Sequence, residues 1–204
     1  MRLVIGGPTL AMVPVSFAEQ LTRLFAFTRE HGPWEAVSLW FQPATYVHVG
    51  REFVLRKAME LQATHILWLD TDMEFPADTA IRLGAHSKSI VACNCVMKTP
   101  DVKFTAWKHG GTVFSDKTAT GLEVVDHVGM AVMLMRTDLV TDMPQPWFRH
   151  QLNEAGEDVG EDVVFCRKLR AAGHSIYIDH DISKEIGHIG LTTFRPNSQA
   201  ALSV

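Results

Sequence analysis

Apolar positions along the chain alternate between a strand-like run and a helical spacing, and each change of period marks a new element. Leu3-Val4-Ile5 is a short apolar run that breaks at Gly6-Gly7-Pro8-Thr9, and from Phe17 to Arg29 the residues Leu21, Leu24, Phe25 and Thr28 fall on one helical face. Val37 to Phe41 predicts a second strand, Gly50 to Gln62 a second helix and His65 to Leu69 a third strand. Pro76-Ala77-Asp78 opens a helix over Ala77 to His86, because proline's missing N–H costs little in a first turn. Ile90 to Met97 predicts another strand, and Thr99 to Gly121 a polar hairpin or irregular excursion around Gly110-Gly111. Val124 to Met135 reads as one apolar strand with Gly129 inside it, a sign of a bulge or a close backbone approach. A helix with Val163, Phe165, Cys166 and Leu169 on its apolar face follows Gly160, Gly173 stops it, and Ser175 to Ile178 closes the series. Strands alternating with helices predict the α/β class, with a mainly parallel twisted sheet flanked by helices and a ligand site beyond the strand C-termini.

Size and charge narrow this picture. The chain has 204 residues, 47% hydrophobic and 21% charged, which suits a single domain with a real core. Its net charge of −4 supplies no general attraction to nucleic acid or anionic membrane. Cys93, Cys95 and Cys166 are too few and odd in number for a disulfide framework, which predicts a reducing compartment. Glycines and prolines interrupt the apolar N-terminus, so it reads as a strand and loop rather than a signal peptide. No run reaches the roughly 18 apolar residues of a membrane span, so the expectation is a cytoplasmic protein without a membrane partner.

The chemistry concentrates where the third predicted strand ends, in Ile66-Leu67-Trp68-Leu69-Asp70-Thr71-Asp72. Strand side chains alternate faces, so Asp70 and Asp72 are expected to point to the same side where the strand emerges from the sheet. Two carboxylates so placed suit Mg²⁺ or Mn²⁺, which take oxygen ligands and share their shell with water and substrate phosphates. The same residues could simply open the turn before Pro76. Gly156 to Asp162 is a second acidic segment, at a helix start where the dipole favours ionised carboxylates. Glu161 and Asp162 could be ordinary N-terminal acids there, or Asp162 could act as general base toward an acceptor hydroxyl while Glu161 positions the acceptor or the loop. His188, between Gly187 and Gly190, sits on a stretch unsuited to core packing and is either a solvated side chain or a ligand.

Taken together these segments resemble the GT-A type glycosyltransferases, in particular small bacterial and phage enzymes similar to glycosyltransferase family 2. The early strand with Pro8-Thr9, Arg51 one helix ahead of the acids, HILWLDTDMEFP as DxD, VGMAVMLMRTDLV, PWF, GEDVVFCRKLRAAG and IGHIG occur in that family's order. The resemblance implies a single GT-A domain, with residues 1–98 binding a nucleotide sugar and residues 99–204 binding the acceptor. It implies that Asp70, Asp72 and His188 hold Mn²⁺ or Mg²⁺, with Asp72 the more direct ligand and Asp70, beside Thr71, nearer the sugar or ribose. Pro8 and Thr9 would line the nucleotide pocket, Arg51 would approach the nucleotide or pyrophosphate, and Gly129 and Met130 would lie beside the donor sugar. Trp147 and Phe148 would lie on the acceptor side, and Glu52 stands where the family often has asparagine.

The implied reaction moves a sugar from a UDP- or GDP-linked donor to a hydroxyl acceptor. A base opposite the leaving group would invert the anomeric centre, although a late histidine ligand also occurs among retaining GT-A enzymes. The acceptor could be a polysaccharide, a small molecule or hydroxymethylated DNA in a phage-infected host, with Arg51, Arg56, Lys57, Lys98, Lys103 and Lys108 as phosphate contacts. Three other classes compete: a nucleotide-sugar-binding module without turnover, a DxD phosphatase and a nucleotidyltransferase. The phosphatase motif normally lies on the first strand and has Thr or Val where this chain has Glu74, and Gly6-Gly7-Pro8-Thr9 lacks a nucleotidyltransferase arginine.

Overall fold

The structure, a computed structural model, describes residues 1–10, 12–99, 101–190 and 193–194. The first half is β1 (Arg2–Thr9), α1 (Val15–His31), β2 (Ala36–Pro43), α2 (Val47–Glu60), β3 (His65–Leu69), β4 (Met73–Glu74), α3 (Thr79–Ala85) and β5 (Ile90–Ala92). A small hairpin follows, β6 (Trp107–Lys108) with β7 (Gly111–Thr112), then β8 (Leu122–Val125), β9 (Val132–Arg136) and a second hairpin, β10 (Gln151–Leu152) with β11 (Asp158–Val159). The chain ends its described course with α4 (Glu161–Ala171), β12 (Ile176–Asp179), the short α5 (His180–Ser183), β13 (Gly187–Ile189) and β14 (Thr193–Phe194).

Seven strands form one mixed sheet in the order β2-β1-β3-β9-β5-β12-β8. β1, β2, β3, β5 and β12 run the same way, while β8 and β9 run against their neighbours. The period-two alternation of a strand explains how the sheet is covered on both faces. Along β3, Ile66 and Trp68 join the apolar layer that includes Leu55 of α2 and Phe165 of α4. Leu67 and Leu69 join the opposite layer with Leu24 of α1 and Leu83 of α3. The three cysteines lie in these layers, and burial pushes the Cys166 thiol up to about 12.

Three expectations need correction. The apolar run Val124–Met135 is two strands, β8 at the sheet edge and β9 in its middle, with Gly129 in the connection between them. A run buried on both faces carries no mark of where it changes neighbours, so the break is invisible in hydrophobicity. The strand expected to reach Met97 stops at Ala92, because the buried Asn94 turns to other work: its Oδ1 accepts from Ala106 N–H and its Nδ2 donates to Val113 O and Ser115 Oγ. Trp147 and Phe148 are 3% and 1% exposed, and the Phe148 ring stands 4.4 Å from Phe165 and 5.5 Å from Trp68, so both are core residues rather than an acceptor surface.

Candidate functional site

β3 stops at Leu69, and the chain turns at once: Asp70 N–H donates to Ala131 O at 2.9 Å and Met73 N–H to Asp70 O at 3.3 Å. Asp70 and Asp72 therefore occupy a turn between β3 and β4 instead of alternate positions on one strand, and their carboxylates separate. Asp70 faces inward, with both oxygens 3.2 Å from Nη2 of the buried Arg51. Asp72 faces outward, where its Oδ2 meets Lys98 Nζ at 2.5 Å and His188 Nε2 at 3.3 Å.

Strand pairing brings His188 to this place. β13 runs antiparallel to β4 with His188 opposite Met73 and Gly187 opposite Glu74, and Ile189 N–H donates to Asp72 O at 2.7 Å. The ring is fixed by its other nitrogen, since His188 Nδ1 lies 2.8 Å from Val96 O. A carbonyl only accepts, so Nδ1 carries the proton toward Val96, and Nε2 is the ring nitrogen that faces Asp72 and the cleft. This donor set, one carboxylate and one correctly oriented imidazole, fits a divalent cation whose remaining positions are filled by phosphate and water. Among the described residues no three His, Cys, Asp or Glu side chains converge as a metal cluster, because Asp70, the expected third ligand, is turned to Arg51.

Arg51 ties the two acidic segments together. Its Nε lies 3.4 Å from Glu161 Oε1, and Glu161 Oε2 lies 3.4 Å from His150 Nε2. Glu161 is thus committed to bracing α2 against the start of α4, and of these two neighbouring acids Asp162 is the one that lines the cleft. Gly160 permits this: a Cβ there would come within 2.9 Å of Asp162 Oδ1. Glu52, next to Arg51, also has internal work, since its Oε2 accepts from the N–H groups of Trp147 and Phe148.

The resulting cleft, of about 360 Å³, has Arg51, Asp70, Asp72, Lys98, Asp162 and His188 as its charged and polar wall. Gly129 and Met130 line it from the β8–β9 connection, with Gly129 packed so closely on Thr105 that an added Cβ would lie 3.1 Å from the Thr105 Cβ. Pro8 and Thr9 end β1 beyond this wall; Pro8 is buried against Gly50, where an added Cβ would lie 2.7 Å from its own. Thr71 is half-buried in the acidic turn and outside the lining. Sequence reasoning missed Lys98 as the partner of Asp72, because a lysine 26 residues away in a polar stretch carries no local mark. A larger cavity of about 670 Å³ opens at the other end of the sheet around Trp34, His65 and Arg136, where Arg136 is already paired with Asp138.

The environments push the two aspartates apart. Burial raises the Asp70 carboxyl above its ordinary value despite Arg51, and the neighbouring Asp72 and Glu161 charges add to the rise. Partial burial also works against the Asp72 charge, but hydrogen bonds from His188 and Lys98 outweigh it and hold that carboxyl at about 2. Asp72 is therefore the member whose charge its surroundings favour, and the one facing the open cleft.

No protein-family profile matches this sequence, and no curated protein does. Among solved structures it is similar to A197 from STIV, with a TM-score of 0.65 over 97% of this chain and 91% of that one at 15% identity. That likeness shows a shared α/β fold.

Proposed function

We propose that this chain is a metal-dependent glycosyltransferase of the GT-A type, transferring a sugar from a nucleoside-diphosphate sugar to a hydroxyl acceptor. The observation that carries the proposal is the meeting of Asp72 and His188 at the C-terminal end of β3, with His188 oriented by Val96 O and Asp162 on the same cleft wall. Ligand sites in open α/β sheets lie at that end of the strands. A divalent cation seated between Asp72 and His188 would neutralise charge developing on a diphosphate leaving group.

The chain's own residues do the rest. Arg51 holds Asp70 in place from beneath, which leaves Asp70 able to accept from a donor hydroxyl. Gly129 and Met130 form the apolar side of the pocket beside it. Asp162, at the positive end of α4, accepts the acceptor's proton. Apart from Lys98, the basic residues expected to meet DNA are mostly engaged with carboxylates: Arg51 with Asp70, Arg56 with Glu52, Lys57 with Glu60 and Lys108 with Glu123. That pairing favours a saccharide or small hydroxyl acceptor over a polyphosphate one.

The test is a thermal-shift series of UDP- and GDP-sugars with and without Mn²⁺, followed by a donor-hydrolysis assay. Expected is a rise in melting temperature that needs both metal and donor and disappears in Asp72→Asn, since a ligand at a hundred times its dissociation constant adds about 2.7 kcal/mol. Absence of any metal-dependent donor effect in the parent protein overturns the proposal. Donor binding without hydrolysis or transfer would assign a binding module instead.

A further inference from the structure

Lys98 occupies the position that a cation would need. Its Nζ lies 2.5 Å from Asp72 Oδ2, the same oxygen that His188 Nε2 approaches at 3.3 Å. The contact is built into a short segment, because Val96, two residues earlier, supplies the carbonyl that orients His188. One stretch of chain therefore carries both the anchor of the histidine and a positive charge covering its carboxylate partner.

That charge is displaceable. The Lys98 and Asp72 side chains are 36% and 39% exposed, so the pair sits at the edge of water, where an ammonium–carboxylate contact contributes little. A divalent ion brings twice the charge to the same oxygen together with the imidazole nitrogen, and it competes well. An ammonium released at the cleft rim then finds itself beside whatever anion the ion brings with it. A diphosphate keeps negative charge beyond what one divalent ion neutralises, and a lysine is a suitable point charge for it.

We propose that Lys98 is a stand-in for the cation in the unliganded protein and a phosphate ligand in the loaded one, yielding Asp72 Oδ2 to the metal and turning to the donor's diphosphate. This rests on the reading of the cleft as a nucleotide-sugar site. It also assigns Lys98 a part in binding order: metal and diphosphate enter together more readily than metal alone, because the diphosphate offers the lysine a new partner.

Calorimetric titration of Mn²⁺ alone, and then of inorganic pyrophosphate with Mn²⁺ present, into the parent, Lys98→Met and Lys98→Arg proteins tests this without any turnover. Losing the competing pair should let Lys98→Met bind Mn²⁺ about threefold more tightly than the parent, the scale of an exposed ion pair. The same variant should bind pyrophosphate with Mn²⁺ about tenfold more weakly, as befits one lost charge-assisted contact. Lys98→Arg keeps the charge and should return both values toward those of the parent, and thermal melts of all three establish that they fold. If Lys98→Met takes up Mn²⁺ no better than the parent does, the stand-in role is wrong while the metal seat survives. If no form binds Mn²⁺ yet pyrophosphate binding still depends on Lys98, the lysine replaces the ion, and the metal-dependent reading falls with this one. Binding of neither probe to any form overturns both.

Discussion

Asp72 and Asp70 are two residues apart, yet their surroundings give them opposite linkage to pH. The folded Asp72 carboxyl is held at about 2 against an ordinary 3.8, so its contribution is present above the ordinary value and is lost as pH falls through about 2. With the side chain 39% exposed, solvent screening limits that contribution to a few tenths of a kcal/mol. Denaturant midpoints of the parent and Asp72→Asn should therefore differ at neutral pH, and the gap should narrow steadily below about pH 4. A gap that widens on acidification would mean that Lys98 and His188 do not stabilise the ionised carboxylate. Asp70 has the reverse sign, since its raised value means that ionising it costs stability as pH climbs past the ordinary carboxylate range. The presence of both acids is plain in the sequence, and so is their location after an apolar strand. Their divergence is not, because it depends on Arg51 lying 19 residues away and Lys98 lying 26 residues away.

At the level of elements, hydrophobic periodicity located β2, β3 and the long helices well, since each has a buried face and a definite period, but it ended β1 too early: Gly6 to Thr9, expected to break the strand, continue it beside Trp40 to Pro43. It failed where a polar side chain or a change of partner decided the outcome, as at Asn94 and in the connection from β8 to β9. Trp68 shows how much β3 depends on its packing: it is fully buried, against Phe148 and among the residues that α2 and α4 contribute. Trp68→Ala should cost about 3–5 kcal/mol in a chemical-denaturation experiment, the range for truncating a buried aromatic. A second dependence lies at the far edge of the sheet. Asn94 Nδ2 donates to Ser115 Oγ, Ser115 Oγ–H donates to His180 Nδ1 at 2.8 Å, and His180 Nε2–H donates to Glu123, which also takes Lys108. The arrangement has the order of a nucleophile, imidazole and carboxylate, but Ser115 is completely buried, so it acts as a clasp between residues 94–123 and α5. His180→Ala should cost about 1–3 kcal/mol by leaving buried polar groups unsatisfied. Amide exchange should then speed up in residues 105–121 more than in β1 or β3.

The whole molecule is a two-faced sheet whose ends differ in chemistry. The site end gathers α2, the β3–β4 turn, residues 95–98, the β8–β9 connection, the start of α4 and β13. These separate stretches and Thr105 meet there, which is why a sequence can name Asp70, Asp72, Asp162 and His188 while saying nothing of their distances. Among the described residues no helix is long and apolar enough to cross a membrane. The charge distribution also bears on the proposed acceptor. With most of the basic set other than Lys98 already paired, binding to hydroxymethylated duplex DNA should be weak, and its dependence on salt concentration shallow, in fluorescence anisotropy titrations. A steep salt slope would restore the polyphosphate acceptor.

The pairing of β13 with β4 carries a consequence for biosynthesis. Every strand of the main sheet has been made by Asp179, whereas His188 is made later and reaches Asp72 only when β13 pairs with β4. The main sheet can therefore close while Asp72 has only Lys98 beside it, and the pairing with His188 is added afterwards.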